Sequence, residues 1–150
     1  MNKFNYIPVF LIIPFLIASY FFGYTPLLIA FIYVLFSVLA FVGYAKDKHA
    51  ARYGQWRVSE GTLHTFSLLC GWPGAIFAQR LFRHKTRKTS FRVVFWFTVL
   101  VNSGVLVWLH TAEGSALLHT YTSLLEELVS KALDEGKTRE ILSGFLHYTE

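Results

Sequence analysis

The chain has 150 residues, of which 54% are hydrophobic and 18% aromatic, with a formal charge of +5 and a mean hydropathy of +0.44. A soluble domain seldom combines these values, so a membrane protein is expected before any residue is placed. The pI near 9.4 does not point to nucleic acid, because the basic residues sit in short segments beside apolar runs, where orientation and attraction to anionic lipid account for them.

Lys3 followed by apolar Tyr6 to Phe22 has the outline of a signal peptide. With no Ala-x-Ala-like site after it, a retained anchor is expected. This run is near the lower length limit for a spanning helix, whereas Thr25 to Tyr44 reaches about 30 Å at the helical rise. Gly23-Tyr24-Thr25-Pro26 reads as a tight turn, with Pro26 suited to a first helical turn. The two runs form a helical hairpin, residues 1–44, whose ends carry Lys3 and Lys46 with Lys48 on the cytoplasmic side. Tyr20, Phe21, Phe22 and Tyr24 supply aromatic residues at the opposite interface.

Residues 45–110 form a second region. Ala45 to Ser59 is polar and reads as a loop, and Ser59-Glu60 reads as a helix start, with Ser59 as N-cap and Glu60 favourable in the first turn. The apolar run Thr62 to Phe82 follows, interrupted by Gly71-Trp72-Pro73-Gly74 and flanked by two basic blocks, Lys46 to Arg57 and Arg83 to Lys88. Each half would rise only about 10–12 Å. A break at the Gly/Pro tetrapeptide predicts a re-entrant hairpin, which keeps both basic blocks in the cytoplasm. A continuous, Pro-kinked span is the competing arrangement, and Gly71, Gly74, Ala75 and Ala78 would serve it as a small-residue packing stripe. Arg80 lies close enough to the segment end to snorkel. Phe91 to Leu109 is long enough to cross, with Trp108 and His110 at its far interface and Asn102 and Ser103 near its middle, where helix-packing glue is the commoner use.

The tail, residues 111–150, holds most of the acidic residues. Leu117, Tyr121, Leu124, Leu125, Leu128 and Ala132 make an apolar helical stripe opposed by Glu126, Glu127 and Lys131, and a shorter piece begins at Thr138. Docking on the bundle or homo-oligomer formation suits this amphipathic helix better than anchoring to anionic lipid. The fold class is therefore an all-α integral membrane protein with three spanning helices plus a broken re-entrant hairpin, or four spans, and an amphipathic helical tail.

The stretch from about Ala40 to Val94 resembles a bacterial membrane family catalogued as domain of unknown function 1294. The residues are Asp47-Lys48-x-Ala50, Trp56-Arg57-Val58-x-Glu60 with Leu63, Gly71-Trp72-Pro73-Gly74, and Phe82-Arg83-His84-Lys85-Thr86-x-Lys88 with Phe91. The resemblance implies a bacterial membrane location and names no activity; with Lys3, Lys46 and Lys48 marking the cytoplasmic side, a multi-pass protein of the bacterial cytoplasmic (inner) membrane with a cytoplasmic N-terminus is expected. Some relatives are similar to fusions with a cold-shock domain. This chain has an apolar hairpin in that place, so a nucleic-acid partner is not expected.

Among these residues, Lys48, Arg57, Arg83, His84, Lys85, Arg87 and Lys88 form the expected binding set for the phosphate of an anionic lipid headgroup or a phosphorylated ligand. The plainer alternative is that Asp47 and Glu60 pair with these cations and that the rest set topology. His84 with Glu60 is a thin candidate for acid–base catalysis on a lipid or lipid-linked phosphate, without a nucleophile or metal partner. A small transporter or channel subunit is a further alternative, because broken half-helices build midplane sites. Neither the single cysteine, Cys70, nor the histidines have metal-ligand spacing, and no cofactor motif is present.

Overall fold

The computed structural model describes residues 7–82, 88–132 and 144. Among the described residues all regular structure is helical: α1 (Ile7–Phe21), α2 (Leu27–Tyr53), α3 (Glu60–Phe66), one wide helical turn (Ser67–Gly71), α4 (Trp72–Phe82), α5 (Thr89–Trp108) and α6 (Ala112–Ala132). Two compact units are distinguished. One comprises Met1–Ile12 and Ile32–Gly104, the other Ile13–Phe31 and Val105–Glu150. By length and composition, α2 and α5 are long and apolar enough to cross a membrane, while α1 is a shorter apolar helix.

The expected turn after α1 is present. Gly23 takes a positive φ of 71°, and the Tyr24 and Gly23 amides donate back to the carbonyls of Ser19 and Tyr20, both at 3.0 Å. These are the two bonds of a Schellman helix end. Helix α2, by contrast, does not stop at Tyr44. It runs on to Tyr53, through most of the segment expected to be loop, because Ala45, Lys46, Lys48, Ala50, Ala51 and Arg52 are good helix formers. It stops at Gly54, whose φ is 64°, and the Gln55 amide closes the end on Ala50 O at 3.0 Å. This extension carries the buried stripe Ala40, Gly43, Tyr44 onward to Asp47 and Ala50.

Ser59 caps α3 as expected, its hydroxyl accepting from the Thr62 amide at 3.0 Å. The break in the third apolar run lies one step earlier than the Gly/Pro tetrapeptide. Leu69 and Cys70 leave helical geometry, and Cys70 adopts a left-handed φ of 70°. Glycine would be the cheaper residue there. Gly71, however, is committed to a close approach: a Cβ on it would collide with the backbone carbonyls of Phe36 and Phe66. Gly74 is pressed in the same way against the Ser37 backbone. Pro73 sits in the first turn of α4, where its missing N–H costs nothing. The tetrapeptide thus starts the second stem and seats it on α2.

The path of the broken segment can be read against α2. Leu63 and Phe66 of α3 lie beside Gly43, at 3.2 and 3.5 Å from where its Cβ would stand. The chain then passes Phe36 and Ser37 at Gly71 and Gly74, and returns to Tyr44, whose hydroxyl accepts from Gln79 Nε2 at 2.9 Å. The Phe41 and Phe82 rings meet at 5.3 Å. The segment travels along α2 by about seven residues, roughly 10 Å, and comes back. It is a short helical hairpin. On α5, Asn102 Nδ2 donates to Leu68 O at 2.8 Å and to Thr98 O at 3.0 Å, so the carbonyl released by the break has a partner. In α6, Leu117, Tyr121, Leu124, Leu125 and Leu128 are exposed; the piece beginning at Thr138 lies outside the described residues.

Gly74→Ala should lower the thermal midpoint of the detergent-solubilised protein by the equivalent of about 1–3 kcal/mol of overpacking. Gly104→Ala, where nothing lies within 4 Å of the added methyl, should leave the midpoint unchanged or raise it.

Candidate functional site

The stems of the hairpin end beside the end of α2, and the polar side chains collected there form the candidate site. Asp47 is fully buried on the inward stripe of α2. A carboxylate removed from water demands a partner, and Arg57 reaches back to it: Nε and an Nη each lie 3.3 Å from the two carboxylate oxygens, a forked pair. The guanidinium side chain remains 52% exposed, so one end of the pair is in the core and the other faces outward. The hydrogen bond to Asp47, followed by its negative charge, raises the arginine pKa above its ordinary value.

Glu60, in the first turn of α3, accepts from Lys88 Nζ at 2.8 Å. Lys88 directly precedes α5, so this pair joins the start of the first stem to the start of the next helix. Beneath it, Phe91 packs on the His64 ring at 4.3 Å and edge-on to Tyr44 at 6.3 Å. The Tyr44–Gln79 bond completes a polar floor between α2 and α4. Around the rim, Lys46 and Arg52 are exposed, Lys48 and Arg80 are half-buried, and Trp56 is 100% exposed.

Of the expected binding set, the structure therefore brings Arg57 onto Asp47 and Lys88 onto Glu60, and places Lys48 on the same end of α2. Arg83, His84, Lys85 and Arg87 lie outside the described residues. Glu60, expected to orient His84, has Lys88 as a partner. The pairing of both carboxylates was legible from the sequence as the plainer alternative. The Tyr44–Gln79 bond was not, since nothing local links residues so far apart. Among the described residues no group of three or more His, Cys, Asp or Glu is placed to hold a metal.

Arg57→Gln should lower the thermal midpoint more than Arg52→Gln does, because it removes the forked cation partner of the buried Asp47 carboxylate. Adding Asp47→Asn to Arg57→Gln should recover part of the loss, as differential scanning of the purified protein would show.

No curated protein and no solved structure matches the chain. Residues 37–91 match the model of the family described as protein of unknown function (DUF1294), the family that the Asp47-Lys48, Trp56-Arg57 and Gly71-Trp72-Pro73-Gly74 motifs resemble.

Proposed function

We propose that this chain is an integral protein of the bacterial inner membrane whose cytoplasmic basic face binds phosphate groups of anionic lipid headgroups, or of a phosphorylated ligand. In this reading α1, α2 and α5 span, the α3–α4 hairpin re-enters from the cytoplasmic side, and the N-terminus is cytoplasmic. The observation that carries it is the return of the broken segment to its starting level on α2, from Leu63 beside Gly43 to Gln79 on Tyr44. A hairpin of that form leaves the Lys46–Arg57 and Arg83–Lys88 blocks on one side, in accord with the positive-inside tendency.

Charge and exposure support the ligand class. Asp47 and Glu60 are engaged by Arg57 and Lys88, so the remaining basic residues of the two blocks outnumber nearby carboxylates. Trp56 stands fully exposed beside Arg57, and an indole next to cations suits the headgroup level of a bilayer. Each lysine or arginine at the surface of an anionic leaflet contributes on the order of 1 kcal/mol. No geometry among the described residues favours catalysis at this face over binding.

Topology and ligand class are tested separately. With Cys70 replaced by Ala, single cysteines at Tyr53 and Thr86 should both stay shielded from an impermeant thiol reagent in intact cells and react once the cytoplasm is opened. Labelling of either from outside overturns the re-entrant arrangement. Charge reversal of Lys46, Lys48, Lys85 and Arg87, leaving Arg57 and Lys88 in their pairs, should abolish selective retention of phosphatidylglycerol over phosphatidylcholine by the purified protein. Unchanged retention removes the anionic-lipid assignment.

A further inference from the structure

A second polar cluster lies in the other compact unit, outside residues 37–91. Ser19, near the end of α1, is only 4% exposed, and Thr25 only 2%. Ser19 Oγ lies 2.8 Å from His110 Nε2 and 2.7 Å from Thr25 Oγ1. His110 Nδ1 lies 2.7 Å from the carbonyl oxygen of Leu106, one of the last carbonyls of α5, which a helix end leaves without an internal amide partner. The His110 amide itself bonds to Val107 O at 3.0 Å.

The donor assignments follow from chemistry. A carbonyl only accepts, so Nδ1 carries the hydrogen, and in the neutral imidazole Nε2 is then a lone pair. Ser19 O–H donates to that lone pair, and Thr25 O–H donates to Ser19 Oγ. A hydroxyl pointing at an imidazole whose far nitrogen is held by a fixed acceptor is the arrangement of an activated nucleophile, its base and the group that orients the base. The Phe15 and Tyr24 rings flank the imidazole at 5.1 and 5.3 Å. Exposed Phe21, Phe22, Tyr24 and Trp108 belong to the same unit, and such aromatic residues settle at the headgroup boundary of a bilayer.

We propose that Ser19 and His110 form a nucleophile–base pair that hydrolyses a carboxylic ester at the membrane interface, the acyl ester of a glycerolipid being the substrate class that resides at that depth. Ser19 Oγ attacks the ester carbonyl carbon while its proton passes to His110 Nε2. The tetrahedral intermediate collapses, the bond to the alcohol oxygen breaks, and that oxygen takes the proton from Nε2. Water then gives a proton to Nε2 and attacks the acyl-serine carbonyl; Ser19 leaves, recovers the proton, and a fatty acid is released. This proposal is independent of the anionic-lipid reading, since it uses none of that site's residues.

The test uses the full chain in phosphatidylcholine vesicles with a fluorophosphonate probe. A phosphonyl adduct mapped to Ser19 by mass spectrometry is expected, absent in Ser19→Ala. His110→Gln, which can still hydrogen-bond Ser19 but cannot take its proton, should slow labelling by about 10²–10⁴-fold, the usual contribution of a general base, with an unchanged thermal midpoint showing that the fold survives. Fatty acid release from the vesicles should fall in parallel. Absence of an adduct on Ser19 in the folded parent, or equal labelling in His110→Gln, overturns the nucleophile assignment. An adduct without fatty acid release overturns the glycerolipid ester as substrate.

Discussion

A break in an apolar helix exposes peptide groups that an apolar surrounding cannot satisfy, and the Ile32–Gly104 unit is organised around covering one such break. At Leu69–Cys70 the intrahelical ladder stops. The carbonyl of Leu68 is met by Asn102 from the middle of α5, and the Ser67 hydroxyl turns back on Leu63 O at 2.9 Å. The approach of the chain to α2 depends on the absence of two Cβ atoms, at Gly71 and Gly74. With the tip thus held, the stems have no choice of level. Leu63 lands beside Gly43 and Gln79 beside Tyr44, and the polar floor of the candidate site is a consequence of how the apolar tip packs.

The charged groups at the open end differ in kind. Asp47 is buried, so its fork with Arg57 joins the core to the surface, and removing either partner alone takes away that charge pairing. Glu60–Lys88 is exposed at both ends, with side chains 40% and 58% accessible, and a pair in that setting contributes about 0–1 kcal/mol. The hairpin base is therefore held by Leu63, Phe91 and the Tyr44–Gln79 bond more than by its visible salt bridge. Glu60–Lys88 instead sets the electrostatics of the rim by occupying a carboxylate that would otherwise repel anions.

Much of this was legible in local chemistry. Ser59 caps α3, Gly23 ends α1 with a left-handed residue, and a broken segment follows from apolar halves too short to cross. Two readings failed for instructive reasons. The charged stretch after Tyr44 looked like a loop, yet helix propensity in Ala45 to Arg52 prevailed until a glycine could end the helix. The break was expected at the Gly/Pro tetrapeptide, but those glycines are consumed by backbone approach to α2, and the left-handed turn fell to Cys70. That assignment depends on tertiary contact, which a single sequence does not display. The same limit hid the pairing of Ser19 with His110, which are 91 residues apart; the histidine read as an ordinary interfacial residue.

The two polar clusters divide chemically. Around Asp47 and Glu60 both carboxylates face cations, Arg57 through a forked pair and Lys88 through one ammonium contact. Around His110 no charged partner is needed: a backbone carbonyl fixes the tautomer, and the free nitrogen lone pair is directed at a hydroxyl. The ion-paired cluster therefore lies among the residues that match the family, and the Ser19–His110 cluster is built from residues on either side of that stretch.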